Sequence, residues 1–184
     1  MSVRIRVWSS LFTVVCAAAA AAEPPATPAA PPATNPLDVI PEKMPFDVPY
    51  GAPINLDRAQ AAIAAAVAEA RKHDWKLNVA VVDSGGNLVA FARMDGAQLA
   101  SITVAEHKAR AAVNFRRETK VFETGIQQNN LNYILSLDGI IASRGGIPLV
   151  DGGKLVGGIG CSGATGSQDE VVCKQGALAV TGSR

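Results

Sequence analysis

The sequence has little net charge, few histidines and few cysteines, and each scarcity closes off a class of function. Seventeen basic residues face 16 acidic ones across 184 positions, a formal charge of +1. That balance offers no basic footprint for nucleic acid and no charge-driven partner. With two histidines and three cysteines there is no Cys/His cluster at metal-ligand spacing, and neither a Ser-His-Asp spacing nor a phosphate loop occurs. A chain that is 48% hydrophobic and 18% charged has instead the profile of a globular protein.

Apolar runs are short. The first, at the N-terminus, reads MSVRIRVWSSLFTVVCAAAAAAE, with Arg4 and Arg6 ahead of a largely apolar stretch from Val7 to Ala18 and Ala-x-Ala choices ending at Ala20, Ala21 or Ala22. This is the pattern of a secretory signal, residues 1–22. A retained membrane anchor is the weaker reading, because the run falls short of the roughly 20 residues a span needs. A lipoprotein site at Cys16 is weaker too, since Val15 before it is bulky. Cleavage after Ala22 removes two basic residues and no acidic one, so the mature chain carries a formal charge of −1. The sequence therefore predicts a secreted or periplasmic protein with no membrane span in the mature chain.

Residues 23–49 form a Pro/Ala-rich linker. In EPPATPAAPPATNP each proline removes a donor and restricts its neighbour, so neither helix nor sheet is expected. From Leu37 onward apolar residues join the prolines, and this part is expected to lie across the domain surface. The domain proper is then residues 50–184, a usual size for one core.

Within the domain, Gly158, Gly160 and Gly163 spell G-x-G-x-x-G. A dinucleotide-binding turn requires a following helix, a second strand and an acidic residue about 20 positions on. After the glycines QDEVVCKQGALAVTGSR holds one helix and no strand, so the motif needs another purpose. An internal repeat provides one. Val82-Asp83-Ser84-Gly85-Gly86 matches Val150-Asp151-Gly152-Gly153 with one deletion, Leu88-Val89-Ala90 matches Leu155-Val156-Gly157, and Asp95-Gly96-Ala97 matches Ser162-Gly163-Ala164. Each half reads as a hairpin, a small-residue turn and a helix. Two such units predict an α+β fold, one antiparallel sheet covered by helices. Gly157, Gly158 and Gly160 then lie in a central strand under a close-packed helix, and Gly163 opens the last helix. A phosphate site at that helix N-terminus is the alternative.

Two helices flank the first hairpin. NLDRAQAAIAAAVAEARKHD starts from Asn55 as N-cap and puts Leu56, Ala59, Ile63, Val67 and Ala70 on one stripe. AQLASITVAEHKARAAVNFRR puts Leu99, Ile102, Ala105, Ala109, Ala112 and Val113 on its apolar side. A second helical or irregular stretch runs from about Glu118 to Leu137.

VVDSGGNLVAFARMDGA, the helix carrying Ser101, Lys108 and Ala109, and SRGGIPLVDGGKLVGGIGCSGATGSQDE together resemble the GlcG/HbpS-like family. That family includes secreted haem-binding proteins and the C-terminal domain of PduO-type proteins. The resemblance spans about residues 55–181. It implies a profilin-like fold, homo-oligomers, and binding linked to haem or corrinoids, and it fixes the fold better than the ligand.

Haem needs an axial donor, an apolar slot and a polar or basic group for its propionates. His107 falls on the helix side opposite the apolar stripe, near Thr103 and Arg110, with Ala100, Val104 and Ala111 as an adjoining exposed apolar patch. It reads either as a solvent-facing histidine or as the iron ligand. His73, at the end of the first helix, suits the negative end of the dipole and is the second candidate ligand. Arg144, beside Gly145 and Gly146, is kept as an anion or propionate contact. Asp83, Arg93 and Asp95 occupy hairpin ends, where turn geometry selects such residues anyway. Cys161 and Cys173, an even pair in an exported chain, read as a disulfide, with buried thiols or a redox-switching pair as alternatives.

The expected function is an exported, non-catalytic haem-binding protein serving capture, storage or sensing. The rivals are turnover of a small organic acid or haem-derived substrate, a corrinoid-linked accessory, and an oligomeric accessory without ligand.

Overall fold

Two hairpins form the centre of the molecule, and they meet along their inner strands. A computed structural model describes residues 38–44 and 46–181. The predicted signal, residues 1–22, and the linker up to residue 37 lie outside the described residues. The elements are α1 (Leu56–Lys72), β1 (Asn78–Asp83), β2 (Leu88–Arg93), α2 (Ala100–Asn114), α3 (Lys120–Gln127), a 3-10 turn (Asn132–Ser136), β3 (Gly146–Asp151), β4 (Lys154–Ser162) and α4 (Gly166–Thr181). The sheet has the order β2-β1-β4-β3 and every pairing is antiparallel. β1 and β2 close around Ser84–Asn87, where Asp83 Oδ1 accepts the backbone N–H groups of Gly85 and Asn87 at 2.8 and 2.9 Å. β3 and β4 close on Gly152-Gly153, both with positive φ. The sequence repeat is thus a structural repeat.

Both faces of the sheet are covered. Alternation along β1 sends Val79 and Val81 toward α1 and α4, and Ala80 and Val82 toward α2. The inner strands are consequently apolar on both sides, and β1 is buried over Asn78–Val82. On one side α1 presents Ala59, Ala62, Ile63, Ala66 and Ala70. These small side chains let α4 come so close that a Cβ at Gly176 would stand 2.8 Å from the Ala62 carbonyl oxygen. Asn55 caps α1 as expected, its side chain accepting the Arg58 N–H at 3.0 Å. Leu56, expected on the buried stripe, is exposed on the first turn of α1.

The glycine motif is resolved by the other face. Gly158 and Gly160 are β4 residues under α2, where a Cβ would sit 2.6 Å from the Ala109 carbonyl oxygen and 2.5 Å from the Ala109 nitrogen respectively. Their role is close helix-on-strand packing. Gly163 has φ +148° and forms the turn that leads into α4. The N-terminus of α4 is capped from within: Asp169 Oδ1 accepts the Ala164 N–H at 3.1 Å, and Gln168 N–H approaches Thr165 Oγ1 at 3.4 Å. Thr165 and Gln168 cap the helix reciprocally, the Gln168 side chain accepting the Thr165 N–H at 3.0 Å.

The proline-rich lead-in is attached to the domain before residue 50. Leu155 N–H donates to the Pro49 carbonyl at 2.8 Å, Gly51 N–H to Leu155 at 2.7 Å, and Val48 packs against the α2-side core. Cys161 and Cys173 are bridged, tying β4 to α4 in the interior. With a sequence separation of 12 between the bonded positions, the loop closure contributes about 3 kcal/mol in the chain-entropy model.

Candidate functional site

The residues that determine which side of α2 faces outward are not on its surface. Ser101, Ala105, Lys108, Ala109, Ala111, Ala112 and Val113 are all buried. At about 100° per residue they cover an arc of about 200°, against about 140° for the stripe the sequence suggests. Two expectations change as a result. Ala111 belongs to the interior and not to an exposed apolar patch, while Leu99, placed on the apolar side, is 70% exposed at the helix start. The outer arc that remains carries Thr103, His107 and Arg110, spaced four and three residues apart on adjoining turns.

Lys108 lies within this buried arc. It is 1% exposed, and its Nζ donates to Asp169 Oδ2 at 2.8 Å and to the Cys161 carbonyl at 3.1 Å. Asp169, 2% exposed, is fixed in turn by the Ala164 N–H. Burial pushes the Asp169 carboxyl above its ordinary range, and the charge and hydrogen bond of Lys108 only partly offset this. The sequence reading missed this pair. Its partners stand 61 residues apart, and no local pattern joins them.

The two histidines differ in what holds them. His73 is exposed at the C-terminus of α1, with Nε2 3.2 Å from Glu69 Oε1 and its ring stacked on Trp75 at 4.3 Å. His107 is half-buried and, among the described residues, makes no hydrogen bond or ion pair. Because α1 and α2 cover opposite faces of the sheet, the structure does not bring the two together. Thr103 Oγ1 donates to the Ala100 carbonyl at 3.2 Å, and Arg110 donates to Glu106 at 2.8 Å one turn back. That exposed i,i+4 pair is weak and open to exchange.

Arg144 is engaged far more firmly. Its backbone N–H and Nε donate to Glu123 at 2.8 and 2.7 Å, and Nη1 stands 3.5 Å from Glu170. Glu170 also receives Lys120 at 3.1 Å and Lys174 at 2.6 Å, and Lys174 reaches Glu118 at 3.3 Å. Three carboxylates and three cations thus close a balanced network across α3, α4 and the approach to β3. A propionate contact at Arg144 would have to displace Glu123. Burial raises the Glu123 and Glu170 carboxyls, but hydrogen bonds from Arg144 to the first and from Lys174 and Lys120 to the second more than offset it, leaving both below the ordinary 4.5.

These shifts predict the acid limb of stability. An acid with a lowered folded value stabilises fully above its unfolded value and loses that contribution as pH falls through the folded one. Asp169, shifted up, has the opposite sign: its contribution grows as pH falls through its folded value toward 3.8. Urea unfolding free energy is therefore expected to decline below about pH 4.5, with a shallower decline in Glu123→Gln. An equally steep limb in the variant would remove the Arg144 clamp from the explanation.

Arg93 and Asp95 line a cleft of about 310 Å³ with Arg71, Trp75 and Met94, between the end of α1 and the edge strand β2. A second cavity, of about 440 Å³, lies under α3 and the 3-10 turn. Among the described residues no helix is long and apolar enough to cross a membrane, and no group of three His, Cys, Asp or Glu is arranged to hold a metal ion.

Comparison with known proteins places this architecture. Over 109 residues the chain is 38% identical to protein GlcG of Escherichia coli strain K12, covering 59% of this chain and 81% of that one. It is 32% identical over 126 residues to a 15.0 kDa Citrobacter freundii protein from the dhaT-dhaS intergenic region, covering 67% and 89%. Among solved structures, a double mutant of Streptomyces reticuli HbpS aligns with a TM-score of 0.65 at 30% identity, over 77% of this chain and 97% of that one. A PduOC–haem complex aligns with a TM-score of 0.63 at 25% identity, over 70% and 96%. Residues 54–178 match the family described as haem degrading protein HbpS-like, and the chain belongs to that family.

Proposed function

We propose that this chain is an exported haem-binding protein and that the outer arc of α2 is its haem surface. The observation that carries the reading is the contrast between the histidines. Among the described residues His107 is half-buried with neither ring nitrogen taken by a protein partner, whereas His73 is occupied by Glu69 and Trp75. A neutral imidazole with a free nitrogen is the usual axial donor to haem iron. The donor set fits: Thr103 is a neighbouring hydroxyl, and Arg110, released from Glu106 at little cost, supplies a cation for a propionate. Arg144 leaves this scheme because Glu123 holds it.

Bound haem supplies redox-active iron, and the chain's own residues orient it. The buried arc of α2 fixes which way His107 points. Capture, storage or sensing is the function this supports, with the profilin-like sheet as scaffold and a homo-oligomer as the working form. Export rests on residues 1–22 and on the bridged cysteines, which suit an oxidising compartment.

A haem titration of residues 23–184 followed at the Soret band tests the assignment. The wild type and His73→Ala are expected to saturate alike, while His107→Ala loses the ligated spectrum and binds at least about tenfold more weakly, in keeping with loss of the axial bond. A wild-type spectrum in His107→Ala would exclude His107 as the ligand.

A further inference from the structure

The cavity under α3 has an apolar wall formed by Phe46, Phe115, Phe122, Leu131, Ile134 and Leu137, and its volume of about 440 Å³ is that of a small-molecule pocket. One cation, Arg117, enters it. Its Nε donates to the Phe115 carbonyl at 2.9 Å, and its Cζ lies 3.1 Å from the centroid of the Phe46 ring and 5.6 Å from that of Phe122. Arg58, Arg110 and Arg144 each hold a carboxylate. Arg117 has none among the described residues, although burial already disfavours its charged form. A half-buried guanidinium without a counter-charge is costly, and an anion that brings its own apolar surface relieves both the charge and the cavity.

The chemistry of that anion follows from which part of the guanidinium is free. Phe46 covers a ring-like face, and Phe115 takes Nε, so the two Nη groups remain. Their planar fork matches the two oxygens of a carboxylate. Among the described residues Arg117 is the one cation lining the wall, which suits a ligand with one negative charge. We propose that this cavity binds a monocarboxylate with an apolar body, its head on the Nη pair of Arg117 and its tail among the phenylalanines and leucines. The site is separate from the α2 surface: no histidine lines it, and the proposal does not depend on the haem reading.

Calorimetric titration of residues 23–184 with octanoate and with 1-octanol tests it. Octanoate is expected to bind saturably at one per chain and at least about tenfold more tightly than 1-octanol, the range of a charge-assisted hydrogen-bonded pair. Arg117→Gln should abolish that preference while leaving the Soret response to haem unchanged. Val121→Trp, which narrows the cavity from a partly exposed position and keeps Arg117, should weaken both ligands. Equal affinities in the wild type, a preserved preference in Arg117→Gln, or unaltered binding in Val121→Trp would each overturn the proposal. Displacement of haem by octanoate would overturn the separation of the two sites.

Discussion

Replacing Gly160 by valine is expected to leave no folded protein, whereas Gly153→Ala should cost only about 1–2 kcal/mol, the penalty for a side chain at positive φ. The two glycines separate two uses of the residue. Gly153 sits in the β3–β4 turn at φ +77° with nothing within 4 Å of an added Cβ, so only backbone strain opposes substitution. At Gly160 the obstacle is backbone: an added Cβ would lie against the Ala105 carbonyl oxygen and 2.5 Å from the Ala109 nitrogen. Neither atom can swing away as a side-chain tip would. To make room α2 would have to leave the sheet, giving up the packing of Ala105, Ala109 and Val113 on Ala80 and Val82. Overpacking commonly costs about 1–3 kcal/mol, and displacement of a whole helix puts this case above about 4 kcal/mol, comparable to the full stability of many domains. Circular dichroism and urea unfolding of the two variants are the measurement. A folded, cooperatively unfolding Gly160→Val protein would show that α2 does not lie where described.

The buried pair between α2 and α4 should produce the second large effect. Asp169→Asn keeps the size of the side chain but leaves the Lys108 ammonium in the interior with the Cys161 carbonyl as its remaining partner. Stranding one member of a buried ion pair costs about 3–5 kcal/mol. Lys108→Met combined with Asp169→Asn removes both charges and should recover much of that loss, because a buried pair is itself only marginally favourable after desolvation. A double-mutant cycle by urea denaturation reads the coupling directly. Additive single-variant losses would mean that the two side chains do not share one site. Under the proposed haem assignment the pair bears on function too, since Lys108 follows His107 and is anchored to α4 and β4. Its loss should therefore broaden the haem spectrum as well as lower stability.

Much of the scaffold was legible from local pattern. The repeated Val-Asp-x-Gly-Gly turns marked two hairpins, Asn55 marked the start of α1, and small residues in β4 marked a close helix crossing. The two cysteines were legible as a pair because their number and the expected compartment suffice for that inference. Periodicity failed where the environment was not two-sided. A hydrophobic stripe assumes that charged residues face water, so Lys108 fell outside the reading although it is the largest fully buried side chain of α2. Candidate ligands fared similarly. His73, His107, Arg110 and Arg144 are comparable letters in a sequence, and only their neighbours distinguish them: Glu69 and Trp75, none among the described residues, Glu106, and Glu123.

By itself, then, the sequence determined the α+β hairpin repeat, the place of the strand glycines and the family to which the chain belongs, because turns, caps and alternation are set by residues within a few positions of one another. Tertiary structure alone decided the Lys108–Asp169 pair, the balanced network that engages Arg144, and the cavity that joins Phe46 to Arg117 and Tyr133. Those contacts join residues tens of positions apart, and whether a charge is paired or free depends on what the fold places within a few ångströms of it.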